Sequence, residues 1–132
     1  MQYSVRVRNA QLDALEETIG ASPVLVLRTG PAPTSASDPD AGVELSRMQL
    51  PLDWLEMALD GAKPKLGTWE DPSAVGKGLA EHFRVYDAGG VCHIQGTVSD
   101  PTGTGDLKLD NNNIGPTQRV VIDYFTIRAA NV

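Results

Sequence analysis

The chain's two histidines, His82 and His93, and its single cysteine, Cys92, all fall within the stretch HFRVYDAGGVCHIQGTV. A thiol beside an imidazole is the pairing of cysteine catalysis, and two imidazoles are the beginning of a metal site. Which chemistry is available depends on which faces of the backbone these side chains occupy. Between Tyr86 and Val91 lies DAGG, a Gly-rich connection of the length that joins antiparallel strands. Pairing Tyr86 with Val91 continues the ladder as Val85–Cys92, Arg84–His93, Phe83–Ile94 and His82–Gln95. Side chains alternate along each strand. One face then carries Phe83, Val85, Cys92 and Ile94, and the other His82, Arg84, Tyr86, Val91, His93 and Gln95. This register predicts a core-facing Cys92, out of the ~2.6–3.2 Å reach a catalytic base needs. It also predicts that both imidazoles face outward, with His93, Arg84 and Tyr86 forming a polar, aromatic-edged surface patch.

A metal between His82 and His93 is disfavoured. Arg84 lies across from His93 in this register, and Glu81 and Asp87 fall on the other face or in the turn, short of the three or four ligands zinc requires. Asp100, Asp106, Asp110 and the asparagines at 111–113 do not fit the EF-hand spacing. The pattern in GDLKLDNNN suits an exposed strand with Leu107 and Leu109 inward. No phosphate loop, dinucleotide fingerprint or nucleophile elbow occurs. The sequence therefore points to no catalytic residue, no cofactor-binding residue and no metal ligand, and to a protein that is not an enzyme.

The elements that would hold these residues are mostly short strands. NAQLDALEETIGAS predicts a short helix, with Asn9 as N-cap, Leu12, Leu15 and Ile19 on one face and Gly20 closing it. Before it, QYSVRVR alternates Tyr3, Val5 and Val7 with Ser4, Arg6 and Arg8, a pattern that suits a strand added to a neighbour. Val24 to Leu27 reads as a strand covered on both faces, with the helix on one of them. PAPTSASDPDAG, residues 31–42, reads as a projecting loop. VELSRMQL reads as a strand with a bulge near Arg47. LPLDWLEMALDGAKPK is ambiguous: Asp53 is placed to cap a second short helix over 53–60, ended by Gly61, while a strand there lacks alternation. Lys63 and Lys65 share the face of a solvated edge, or a partner contact. Trp54 and Trp69 are core anchors or interface anchors. Further runs at KLGTWED, GLAEHFRVYD, VCHIQGTVS, GDLKLD and QRVVIDYFTIRAA complete the series. The expected fold is mainly β: one domain over 1–132, an antiparallel, jelly-roll-like β-sandwich with a short N-terminal helix.

Composition bounds the partners. The chain has 132 residues, 41% hydrophobic and 21% charged, which suits one modest globular core. A net charge of −6, with eleven scattered basic residues, opposes nucleic-acid binding. No stretch approaches the ~20 apolar residues of a membrane span, and MQYSVRVRNAQLDALEE lacks a signal-peptide core. The expectation is a soluble protein made in the cytoplasm, with no nucleic-acid or membrane partner.

The order of motifs adds a resemblance. YSVRVRNAQLDALEETIGASPVLVLRTG is followed by LPLDWLEMALDGAKPKLGTW, then HFRVYDAGGVCHIQGTV, then GDLKLDNNNI. Together these resemble a family of small virion-associated proteins of tailed bacteriophages and prophages. The matching positions include Tyr3, Arg8, Asn9, Ala10, Leu12, Asp13, Ala14, Asp53, Trp54, Leu55, Gly67, Trp69, His82, Phe83 and Arg84. Ile19 to Ser22, His93 to Val98 and Asp106 to Asn111 also match. The likeness covers nearly the whole chain, and it departs from the pattern at residues 31–40 and at DPTGTGD. It implies a virion structural protein made in the host cytoplasm. The leading expectation is a capsid decoration (cement) protein at the capsid surface, a homo-oligomer such as a trimer, bound to the major capsid protein. The alternatives are a head–tail connector or tail-associated protein, and a glycan-binding surface module built on the face around Tyr86 and His93.

Overall fold

The computed structural model describes residues 1–129; the last residue of the closing QRVVIDYFTIRAA run, Ala130, lies outside them. The chain is mainly β with one N-terminal helix. Helix α1 spans Val5–Ile19 and begins a full turn before the expected cap. Ser4 is the N-cap and its side chain accepts from Val7 N at 3.2 Å, so QYSVRVR is not a strand. Asn9 sits inside the helix, and its Oδ1 accepts from Gly61 N at 2.8 Å. The far end is as expected: Gly20 takes φ 88° and its N–H reaches Glu16 O at 2.9 Å, while Leu12 and Ile19 are buried.

The strands are β1 Val24–Arg28, β2 Glu44–Gln49, β3 Ala62–Pro64, β4 Glu70–Asp71, β5 Gly78–Leu79, β6 His82–Tyr86, β7 Cys92–Ser99, β8 Leu107–Leu109, β9 Asn113–Ile114 and β10 Val120–Arg128. Eight of them join one curled mixed sheet, ordered β2-β1-β6-β7-β8-β10-β3, with β4 also on β10. β5 and β9 form a separate ribbon. The expected two facing sheets of a jelly roll are thus replaced by a half-barrel whose concave side holds the core. Among the described residues only β7 and β8 pair in parallel, Val98 with Leu107 and Ser99 with Lys108.

Aromatic side chains centre that core. Trp54 and Trp69 are fully buried with centroids 6.1 Å apart, and Phe125 lies 5.4 Å from both Trp69 and Phe83. The tryptophans are core anchors. Leu107 and Leu109 point inward as their alternation requires. The bulge in β2 falls at Leu45, between the Leu27–Ser46 and Arg28–Glu44 pairs, two residues before the expected break.

Residues 53–60 are not a helix. Leu55 bridges Lys65, and Leu59 bridges Ala62 with bonds in both directions, 2.9 and 3.0 Å. Asp60 and Gly61 between them have φ 52° and 73°. Two consecutive positive φ values define the type I′ turn, whose favoured sequence is Asp-Gly. The segment folds back as a hairpin over 54–66, and β3, its inner strand, pairs with β10. Trp54 is held at its base by an indole N–H to Gly20 O at 3.0 Å.

Candidate functional site

The hairpin bearing the histidines and cysteine has a different register from the expected one. Asp87, not Tyr86, pairs with Val91: Asp87 N donates to Val91 O at 2.9 Å, and Gly90 N returns to Asp87 O at 3.0 Å. Asp87 Oδ1 also accepts from Gly89 N and Val91 N, at 2.9 and 3.0 Å. The turn is tightened by one residue. Tyr86 then faces Cys92, a bulge at His93 restores the alternation, and Val85 faces Ile94, Arg84 faces Gln95, Phe83 faces Gly96 and His82 faces Thr97. Gly96 suits this register, because it stands opposite Phe83. A Cβ there would stand 2.8 Å from Phe83 Cε1, so the ring lies directly on the glycine.

Two expectations change as a result. Cys92 leaves the core face and lies half-buried beside Arg84 and Tyr86, its thiol donating to Ile94 O at 3.4 Å. His82 is fully buried rather than outward-facing. Its Nδ1 lies 2.6 Å from Gly30 O; a carbonyl only accepts, so that nitrogen carries the proton. His82 Nε2 has no partner among the described residues. His93 stays near the surface, with Nε2 2.8 Å from Asp87 Oδ2. That bond, the largest influence, and the turn's N–H groups hold the Asp87 carboxyl below its ordinary range. The structure therefore separates the two imidazoles, His82 at the start of β6 and His93 near the start of β7, and gives each a partner that is not the cysteine.

Arg84 is buried because the loop at residues 31–42 lies against the sheet instead of projecting, while His82 is held to Gly30 just before that loop. Arg84 is 1% exposed. It donates to Asp40 Oδ1 at 2.7 Å, Ala36 O at 2.6 Å and Asp38 O at 3.1 Å. Arg28 reaches Asp40 Oδ2 at 3.2 Å, Tyr86 Oη also donates to Asp40, and Gln95 Nε2 donates to Pro33 O at 2.6 Å. The Tyr86 hydroxyl, followed by Arg28 and Arg84, keeps the Asp40 carboxyl below its usual range against the opposing effect of burial. Burial and the same bond push the Tyr86 phenol up. This loop covers the face of β1 that carries Arg28, while Ile19 of α1 joins Leu25 and Leu27 in the core on the other. On the face expected to be an open aromatic–His–Arg patch, Arg84 is buried under the loop as a fastener while Tyr86 and His93 stay nearer the surface.

Lys63 is likewise not on a solvated edge. It is 3% exposed and pairs with Asp13 at 2.8 Å and Glu16 at 2.9 Å, locking α1 across the 54–66 hairpin. Burial alone would lower its pKa; the bonds to both carboxylates reverse this and leave it raised. Beside this lock runs an open groove of about 450 Å³ between α1 and the outer arm of the hairpin. Asp13, Glu16, Asp53 and Glu56 line it together with Leu55, Met57 and Leu66. In and just before the hairpin, Leu52, Met57 and Leu59 are 76%, 85% and 70% exposed. Reading 53–60 as a helix hid this surface; the Asp60–Gly61 dipeptide is the signal that reveals it.

Asp100, Asp106 and Asp110 do not converge. Asp100 accepts from Thr102 and Gly103 in a local turn, and Asp106 accepts from Thr97 N at 3.1 Å. Among the described residues, no three His, Cys, Asp or Glu side chains are grouped as metal ligands, and no helix is long and apolar enough to cross a membrane. Comparisons with protein-family models, curated proteins and solved structures return no match.

Proposed function

We propose that this chain is a virion structural protein of a tailed bacteriophage, a capsid decoration protein that binds the major capsid protein at the capsid surface and carries out no catalysis. The resemblance in motif order supplies the particle. The observation that carries the reading is the pair of exposed large apolar side chains, Met57 and Leu59, on a hairpin fixed between α1 and β10, with Leu52 also exposed just before it. Large apolar side chains held rigidly in water favour a protein that covers them. The polar side chains with most chemical potential, Arg28, Arg84, Lys63 and His82, are held in internal contacts. An acidic exterior, net −6, keeps the unassembled protein soluble and disfavours nucleic acid.

A contact patch this small binds weakly alone. A homotrimer on a local three-fold position of the shell multiplies it through effective concentration. The test is gel densitometry of purified particles against the major shell protein. Abundance comparable to that protein supports decoration. Ring-sized numbers, about six or twelve, place the chain at a head–tail connector or tail instead, and absence from particles overturns the structural reading altogether.

A further inference from the structure

Beneath the loop at 31–42 lies a group of polar side chains on one face of the sheet. His82, Arg84 and Tyr86 alternate along β6 and so share that face; β1 sets Arg28 opposite His82, and β7 sets Gln95 opposite Arg84. Arg28, His82 and Arg84 are each more than nine-tenths buried. The contacts of this face are those of a peptide reader. Both guanidiniums and the Tyr86 hydroxyl converge on the Asp40 carboxylate, while Arg84 and Gln95 donate to the backbone carbonyls of Pro33, Ala36 and Asp38. A carboxylate flanked by main-chain carbonyls is what an acidic, extended segment presents. Here the chain supplies its own.

That occupant fits its seat incompletely. Among the described residues, Arg28 Nε, Arg84 Nε, His82 Nε2 and Gln95 Oε1 are buried with no partner, two donors and two acceptors under one strap. Arg28 and Arg84 also share a single close carboxylate, since Glu44, 3.8 Å from Arg28, is held by Arg47 at 2.8 Å. Nothing apolar fastens the loop: no residue of 31–42 is buried, and none carries a large apolar side chain. Its hinges are Gly30 and Gly42, at φ 75° and 77°. Just outside them Thr29 N donates to Val43 O at 3.1 Å and Val43 N to Thr29 Oγ1 at 2.9 Å, closing the ends on β1 and β2. The strap therefore lifts without unzipping a strand. An open depression of about 390 Å³, between the strap and the Val91–Cys92 turn, leads to Arg84 and Tyr86.

We propose that this face is a docking seat for an acidic, extended segment of a partner protein, and that residues 31–42 are its resident stand-in, displaced when that segment binds. The incoming chain repeats the carboxylate and carbonyl contacts and brings hydroxyl or amide side chains to the four unserved atoms. Buried ion pairs are costly to desolvate, and switching is among their best-attested uses. The strap of a second copy gains nothing, because it leaves the same four atoms unserved. A lone phosphate fills only the Asp40 position. Neither the seat nor its test depends on the virion reading.

The test uses the full-length ¹⁵N-labelled protein and a synthetic peptide of the strap's own sequence, PAPTSASDPDAG. The controls are the same peptide with Asp40→Asn, and inorganic phosphate. Asp40→Ala in the protein weakens the resident strap, so the folded variant binds the peptide about tenfold more tightly than wild type, with shifts at the Arg28, Arg84 and Gln95 side-chain N–H signals. Wild type gives a second reading that does not need the variant to fold. There the tethered strap competes at an effective concentration of about millimolar, and excess peptide leaves residues 31–42 open to protease. A peptide library that keeps this one Asp and varies the rest yields binders rich in hydroxyl and amide side chains, which displace the strap at about tenfold lower concentration than its own sequence does. Equal binding by the Asp40→Asn peptide or by phosphate, equal affinity of folded variant and wild type, or a bound peptide that leaves 31–42 protected overturns the proposal. So does a library with no binder better than the strap, or dimerisation that protects 31–42 without peptide.

Discussion

Asp40 is the most informative residue to remove. Asp40→Ala deletes one acceptor that serves Arg84 Nη1 at 2.7 Å, Arg28 Nη2 at 3.2 Å and the Tyr86 hydroxyl. Removing one partner of a buried ion pair costs about 3–5 kcal/mol. Here the guanidiniums are buried but the Asp40 side chain is 44% exposed, so water takes over part of the loss. Arg84 also keeps Ala36 O and Asp38 O. The expected cost is about 2–3 kcal/mol, which lowers the thermal midpoint by about 8–12 °C and the urea midpoint by about 1 M. Asp40→Asn, which keeps an acceptor oxygen, loses about half as much.

The sign of the pH dependence follows from the depressed Asp40 carboxyl. A folded-state pKa below the unfolded value of about 3.9 stabilises the fold above that pH, and the contribution disappears as pH falls through the lower, folded value. The stability gap between wild type and Asp40→Asn therefore closes in acid. Urea titrations across pH measure the gap, limited proteolysis of residues 31–42 reports loop release, and a double-mutant cycle with Tyr86→Phe gives a coupling of about 0.5–1 kcal/mol. If Asp40→Ala costs less than about 0.5 kcal/mol, as an ordinary surface substitution does, or leaves the loop as protected as before, the fastener account is wrong.

Lys63→Met is expected to stay within about 1 kcal/mol of wild type, because Asp13 and Glu16 can hydrate once the ammonium is gone, whereas Asp13→Ala with Glu16→Ala strands a buried Lys63 and costs about 3 kcal/mol; denaturant titration separates the two. The raised Lys63 pKa adds stability that is complete below the unfolded value of about 10.4 and is lost as pH climbs through the folded one, so wild type and Lys63→Met converge in alkaline unfolding curves. Gly76→Ala places a Cβ 2.5 Å from Glu44 O and 2.9 Å from Leu45 Cα, and neither backbone atom can swing aside, so calorimetry should show a loss of about 2 kcal/mol. Cys92, half-buried at an open depression, reacts with an aromatic disulfide reagent in the native state; a thiol that reacts only after denaturant is added would restore the core-facing register.

Local patterns predicted those parts of the fold whose causes are local. Leu12, Leu15, Ile19 and Gly20 lie within three turns of one another, and Leu107 and Leu109 alternate within one strand; both patterns hold in the structure. The failures share a different cause. Asn9 is a good cap by type, but Ser4 upstream extends the helix and Asn9 instead serves Gly61, 52 positions away. The apolar spacing of Trp54, Leu55, Ala58 and Leu59 imitates a helix, while Asp60 and Gly61, which the helical reading takes as its end, form a hairpin turn. Turn chemistry outweighed periodicity because a paired arm against β10 satisfies more backbone groups than two isolated turns of helix would.

The polar residues were misplaced for a related reason: charge partners distant in sequence decide burial. Arg84 reads as a surface residue until Asp40 arrives from 44 positions away, and Lys63 reads as an edge guard until Asp13 and Glu16 reach it from α1. Each ion pair takes a cation off the surface. Arg28 and Arg84 are held under the loop and Lys63 under α1, while Asp53 and Glu56 remain exposed beside Met57. The acidic character of the groove is thus a product of the fold as much as of composition, since Lys63, adjacent to it in sequence, is held between Asp13 and Glu16. Breaking the Lys63 lock should therefore return a cation to the groove beside α1, whereas breaking the Asp40 lock, which fastens the 31–42 loop over β1 and β6, should lower stability and leave that charge balance unchanged.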